Sequence, residues 1–188
     1  MCRVQILINM KKLFLFLAIC SIAPALMAQQ FKSRLAESKM TISGTSTLHD
    51  WESAVESFSA SAMLSGETIK NASFTAKVKS IKSGTSAMDA NTYEAMKEPA
   101  HPQIIFKGDE MQLGPDGLRI KGKLTIAGVS RNVEFSAAAE KWTPESLTIQ
   151  ADYAFNMSDY GIEPPRALLG TIRTGDEVKI SFKLVLYE

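Results

Sequence analysis

The sequence predicts an all-β fold, an antiparallel barrel interrupted by one short helix. Three observations lead there. Apolar and polar residues alternate with a period of two over most of the chain after Lys39, turn-forming residues separate the alternating runs, and a single segment has helical character. A period of two gives each strand one apolar and one wet face, which is the pattern of an antiparallel sheet.

Taken in order, Phe74, Ala76 and Val78 oppose Thr75, Lys77 and Lys79. The helical insertion follows over residues 86–98, where Ala87, Ala90, Glu94, Ala95, Met96 and Lys97 favour helix. Ser86 or Asp89 can cap its start and Pro99 and Pro102 end it. Leu118, Ile120, Gly122, Leu124 and Ile126 then face away from Arg119, Lys121, Lys123 and Thr125. Val133, Phe135, Ala137 and Ala139 share one face of the next run. Leu147, Ile149, Ala151, Tyr153, Phe155 and Met157 share one face of another, and Val178, Ile180, Phe182, Leu184 and Leu186 one face of the last.

Turn residues at Ser65-Gly66, Gly114-Pro115-Asp116-Gly117, Ala127-Gly128, Thr143-Pro144 and Thr174-Gly175-Asp176 punctuate these runs. Short connections make sequential strands hairpin partners. Several runs exceed the usual ~5–6 residues, and long antiparallel strands joined in order suit a barrel, which removes exposed edges.

Residues 1–28 have the character of an export signal, leaving residues 29–188 as a single domain. Lys11-Lys12 precedes the apolar run Leu13 to Cys20, and small residues lead to Ala28. That run is shorter than the ~20 residues of a membrane span. Met10, directly before the lysine pair, is an alternative start. Leu17-Ala18-Ile19-Cys20 partly matches a lipobox, but Ile19 stands where a small residue belongs. Both cysteines, Cys2 and Cys20, fall in this segment. Cleavage after Ala28 gives a periplasmic or secreted protein without disulfide, thiolate metal site or cysteine nucleophile.

The chain carries 21 basic and 20 acidic residues, net +1. Removing Arg3, Lys11 and Lys12 leaves 18 basic residues against 20 acidic, net −2. Interspersed charge of that balance offers no footprint for nucleic acid and no polybasic cluster for an anionic membrane surface. A homodimer is compatible with the sequence.

The apolar faces hold the candidate binding residues. Ala60, Ala62, Ala76, Gly122, Ala137, Ala139 and Ala151 are small, and they mix with large Phe58, Phe74, Phe106, Leu124, Phe135, Tyr153, Phe155 and Phe182. An eight-stranded barrel either fills with side chains or holds one ligand. Small positions opposite rings leave elongated space for a hydrocarbon chain, unless neighbours fill it. Arg131 and Arg166, beside Val129-Ser130 and Pro164-Pro165, are candidates for holding an anionic headgroup, as alternatives to plain surface cations.

Ser46 and His49-Asp50-Trp51 invite a hydrolase reading, but a catalytic base is oriented by an acid from another element. A tight turn, in which Asp50 accepts backbone N–H bonds and His49 packs or pairs at the barrel rim, accounts for the segment more simply. His49 and His101 alone lack the further ligands a metal site requires, and no metal, cofactor or catalytic residue is expected.

Several segments together resemble the YceI-like family of exported bacterial proteins. They are Gly44-Thr45-Ser46-Thr47-Leu48-His49-Asp50-Trp51, Met88-Asp89-Ala90-Asn91-Thr92-Tyr93, Pro102-Gln103-Ile104-Ile105-Phe106 and Gly122 through Arg131. Phe155 through Pro165 and Gly175-Asp176-Glu177-Val178-Lys179-Ile180 complete the set. The resemblance implies a lipocalin-like barrel of about eight strands with a helical insertion and an apolar tunnel for an isoprenoid or similar lipid tail. It implies neither catalysis nor metal, and a diffuse apolar lining rather than a signature site. The expected function is that of a carrier or reservoir for a long apolar chain. The alternatives are a fully packed barrel acting in protein interaction or stress response, and a hydrolase using His49.

Overall fold

A computed structural model describes residues 29–188. The expected export segment, with both cysteines, lies outside the described residues.

The strands in chain order are β1 (Gln29–Ser33), β2 (Lys39–Ser46), β3 (Trp51–Val55), β4 (Phe58–Ser65), β5 (Thr68–Lys77) and β6 (Ile81–Lys82). Helix α1 (Ser86–Ala95) precedes β7 (Gln103–Gly108), β8 (Met111–Gly114), β9 (Gly117–Ile126), β10 (Val129–Trp142), β11 (Ser146–Asn156), β12 (Arg166–Ala167) and β13 (Ile172–Tyr187). β1 and β2 form one bent barrel strand, as do β3 with β4, β5 with β6 and β7 with β8, because each pair continues onto the same neighbours. The result is a closed, eight-stranded, antiparallel meander. β13 closes it, pairing β1 at Lys32↔Tyr187 and β2 from Thr174↔Ser46 to Lys183↔Lys39.

Alternation drives this arrangement. Along β9, Leu118, Ile120, Gly122, Leu124 and Ile126 point inward and are buried, while Arg119, Lys121 and Lys123 are exposed. Phe31, Leu64 and Leu113 are buried near the end formed by the β4–β5 and β8–β9 turns. Burying a large apolar side chain contributes ~1.5–3 kcal/mol.

Three local expectations are corrected. Thr174-Gly175-Asp176 is no turn between strands but a bulge inside β13, where the register to β2 shifts between Thr174 and Val178. The bulge lets the Asp176 carboxylate accept bonds from the Ser158 N–H and hydroxyl, tying down the 3₁₀ turn Met157–Tyr160. Helix α1 ends at Ala95, three residues early, because Lys97 takes a left-handed conformation (φ 53°) and turns the chain before Pro99. Neither Ser86 nor Asp89 caps it; Thr85 occupies that position without a side-chain bond. Asp89 instead accepts bonds from the Ser83 N–H (2.8 Å) and hydroxyl (2.7 Å).

One wall of the barrel is split. β10 and β11 pair only from Ala138↔Gln150 to Trp142↔Leu147. Beyond that, β10 pairs β9 alone over Val129–Ala137, and β11 pairs β13 alone over Ala151–Asn156. Aromatic rings occupy the parted region. Phe135 stacks on Tyr153 at 4.7 Å, Tyr153 on Phe155 at 5.8 Å, and Tyr160 meets Phe155 edge-on at 5.1 Å. Arg131 Nε donates to the Asp159 carbonyl at 2.8 Å, holding the 3₁₀ turn across the seam.

Candidate ligand-binding site

The barrel holds two apolar chambers. The upper one, ≈ 340 Å³, lies beneath α1 and the connection from β11 to β13. Ile42, Trp51, Ile81, Ala87, Met88, Ile126, Phe155, Ile162, Ile172 and Val178 supply much of its wall. Below it is a chamber of ≈ 130 Å³ lined by Met40, Ala60, Ala76, Phe106, Leu124, Phe135, Tyr153, Phe182 and neighbours. Ile42, Ile104 and Ile180 line both chambers and form the waist between them. The larger chamber alone falls within the ~300–1,000 Å³ of small-molecule sites.

Local sequence explains the walls. Trp51 lies over Gly44, whose missing side chain leaves room for the indole; a Cβ there would sit 2.5 Å from the ring. The Trp51 Nε1–H donates to the Thr45 carbonyl at 3.1 Å, which fixes the ring's orientation. Helix α1 is tethered over the upper chamber by polar contacts at its base. Lys82 Nζ donates to the Tyr93 hydroxyl at 2.7 Å and pairs with Asp89 at 3.3 Å. The Tyr93 hydroxyl reaches the Lys79 and Ile81 carbonyls, each at 3.0 Å. The Ser83 N–H and hydroxyl, then Lys82, hold the Asp89 carboxyl below its ordinary range, while the Tyr93 bond raises the Lys82 ammonium.

Of the residues singled out in the sequence, Phe74, Phe106, Leu124, Phe135, Tyr153 and Phe182 line the lower chamber and Phe155 the upper. Phe58 is buried beside Phe74, ring centroids 5.8 Å apart, outside both linings. Arg166 borders the upper chamber, whereas the Arg131 side chain is engaged with Asp159 outside it. The helix residues Ala87, Met88 and Asn91, and the waist residues Ile42 and Ile104, were not singled out as binding residues, and Ile180 was placed only on the apolar face of its strand. The alternation of Val178 and Ile180 within β13 was the signal that reached furthest toward them.

His49 lies at the upper chamber, where its Nδ1 faces the Asp50 carbonyl at 2.7 Å. The Ser46 hydroxyl donates to the His49 carbonyl and accepts the Leu48 and His49 N–H groups. Ser46 thus closes the turn, the role the sequence suggested for Asp50, and it is not aligned with the imidazole as nucleophile and base. His101 packs instead against Gly128, where a Cβ would meet its ring. Among the described residues, no three of His, Cys, Asp and Glu gather into a metal cluster.

The YceI-like domain family model matches residues 30–186. Burkholderia cenocepacia BcnA is similar in structure, with TM-score 0.70, 22% identity, and coverage of 81% of this chain and 98% of that one. A polyisoprenoid-binding domain from Saccharophagus degradans, implicated in plant cell wall breakdown, has TM-score 0.66 at 11% identity, covering 84% and 97%. The Campylobacter jejuni YceI protein has TM-score 0.62 at 16% identity, covering 72% and 84%. No curated protein is significantly similar to the chain.

Proposed function

The chain belongs to the YceI-like domain family, and on that premise we propose that it is an exported carrier or reservoir for one long apolar lipid chain. The chain is isoprenoid-like or fatty, and it lies through the upper chamber, past the waist and into the lower chamber. The protein acts in the periplasm or outside the cell, and it binds without catalysis. The observation that carries this reading is the pair of neighbouring chambers that share Ile42, Ile104 and Ile180 as wall residues and are lined largely by apolar side chains. Each buried methylene of a ligand gains about 0.8 kcal/mol there. The polyisoprenoid-binding relative lends support from a different sequence on the same fold.

Native mass spectrometry of gently extracted protein tests the reading. A co-purifying isoprenoid or fatty chain, or uptake of a long-chain polyprenol by delipidated protein, is the expected result. A folded barrel that arrives empty and refuses both polyprenol and fatty acid is a packed scaffold instead.

A further inference from the structure

The wall between β10 and β11 has a ladder only at its lower end, from Ala138↔Gln150 to Trp142↔Leu147. Above it the two strands bond only away from the seam, β10 to β9 and β11 to β13. Parting a laddered pair breaks a row of backbone hydrogen bonds, and parting these two strands above their ladder breaks none.

Side chains close the seam instead. Phe135 on β10 stacks on Tyr153 of β11, and Tyr153 on Phe155. At the top one latch crosses, from Arg131 Nε to the Asp159 carbonyl at 2.8 Å. The same rings line the chambers, Phe135 and Tyr153 the lower and Phe155 the upper. The outer face adds little cover. Ser130, Asn132 and Ser136 on β10 and Asp152, Ala154 and Asn156 on β11 are short and exposed. Glu134 is drawn toward β9 by Arg119 and Lys121. The seam also spans both chambers. Tyr153 pairs with the waist residue Ile180 across β11 and β13, so the ring stack passes beside the waist. A long chain entering by the upper chamber alone must thread end first past Ile42, Ile104 and Ile180. One laid in through the seam meets both chambers at once.

We infer that the seam between β10 and β11 is a side portal through which a long hydrocarbon chain enters and leaves the barrel. Opening parts the strands above Ala138↔Gln150, releases the Arg131 latch and separates Phe135 from Tyr153. Apolar contacts are non-directional, so a passing chain replaces the contacts that the rings give up. The portal rests on the lipid-binding reading and adds the route by which the ligand is loaded.

The test bridges the seam. In full-length protein carrying Cys2→Ser and Cys20→Ser, only introduced thiols react. Asn132→Cys and Asn156→Cys put one exposed thiol on each parted strand, and a short bismaleimide joins them after folding. The same thiols capped singly with N-ethylmaleimide control for bulk. Ala138→Cys with Gln150→Cys, bridged inside the ladder, controls for stiffening. Delipidated protein is mixed with a long-chain polyprenol, and the bound fraction is followed in time by native mass spectrometry. The seam bridge should slow uptake and release alike by about tenfold or more and leave the equilibrium affinity within about twofold, because it obstructs the route and not the bound state. Capped and ladder-bridged proteins should load at the unbridged rate. Arg131→Gln, which removes the latch, should speed uptake about fivefold. A seam-bridged barrel that loads at the unbridged rate overturns the portal and leaves the lipid reading standing, with entry through the upper chamber. Equal slowing by the ladder bridge also overturns it, because the route is then motion of the whole barrel. If circular dichroism shows that the bridge distorts the fold, Arg131→Gln decides, and an unchanged rate overturns the portal. Unmodified protein that takes up neither polyprenol nor fatty acid refutes the lipid reading and the portal with it.

Discussion

Phe135 and Tyr153 stack with ring centroids 4.7 Å apart where the ladder between their strands has ended. Ring packing there stands in for strand pairing. It also lines the lower chamber, because both rings face it. An aromatic pair contributes about 0.5–1.5 kcal/mol beyond its buried area.

Phe135→Ala should therefore lower stability by about 3 kcal/mol, the low end for a truncated ring because this one is only half-buried. Urea unfolding measures the loss. The same variant opens the seam, so release of a bound polyprenol should quicken. A stability change below about 1 kcal/mol would show that the seam is held by its flanking strands alone.

Gly122 gives a sharper packing prediction. It pairs with Gly108 on one side and Val133 on the other. A Cβ at this position would enter the Lys107 carbonyl oxygen and lie 2.8 Å from Gly108 Cα. Backbone cannot step aside as a flexible side chain can. Gly122→Ala should cost about 3 kcal/mol or more, whereas Gly114→Ala, whose nearest atom is 3.8 Å away, should stay within about 0.5 kcal/mol. Thermal or urea melts of the two variants decide it.

Gly122 also marks how far sequence reaches. Alternation in β9 fixes which residues face inward, so Leu118, Ile120, Leu124 and Ile126 were legible as interior. That Gly122 is small because the β7 backbone at Lys107 and Gly108 approaches it depends on register, and register is written in no single strand. The same limit hid the parting of β10 from β11, since Val133 to Ala139 and Leu147 to Phe155 alternate without a break through it. It also made the β13 bulge read as a turn, because Gly175-Asp176 has turn chemistry whether or not the chain reverses. Phe58 and Phe155 share one signature, yet only Phe155 reaches a chamber, because barrel curvature rather than facing decides which interior residues border open space.

Tyr160 predicts a pH dependence. It is 1% exposed, and its hydroxyl has no hydrogen-bond partner. Burial raises its phenol well above the ordinary value, and the Tyr153 hydroxyl, close by but outside bonding geometry, raises it further. The unfolded chain ionises near pH ~10 while the native state keeps its proton. Above that pH the unfolded state binds fewer protons, so stability falls as pH rises; below it both states are protonated and the contribution is constant. Urea unfolding between pH 8 and 11, each about a unit or more from that value, should show this fall in wild type and a shallower one in Tyr160→Phe. The substitution should also stabilise by about 1 kcal/mol near neutrality, because it removes an unpartnered buried hydroxyl. An unchanged alkaline slope would assign the titration elsewhere.

The waist makes chain length a measurable consequence of the two chambers. Ile104 is buried on β7 opposite Ala76, and with Ile42 and Ile180 it borders both spaces. A short prenyl alcohol can be satisfied in the upper chamber, but a long one must pass the waist to bury its end. Ile104→Phe narrows that passage. It should leave affinity for the short alcohol nearly unchanged and weaken the long polyprenol. Excluding three or four methylenes from the lower chamber costs about 3 kcal/mol, roughly a hundredfold. Overpacking of about 1–3 kcal/mol is expected in the folded state, so circular dichroism must first show an intact barrel. Ile104→Ala should act in the opposite sense on access, admitting the long chain at some cost in stability. Competition binding with alcohols of graded length reads both variants. A length preference that neither substitution moves would mean that the chambers do not act in series, and that the lower one is a packing void beneath a site that ends at the waist.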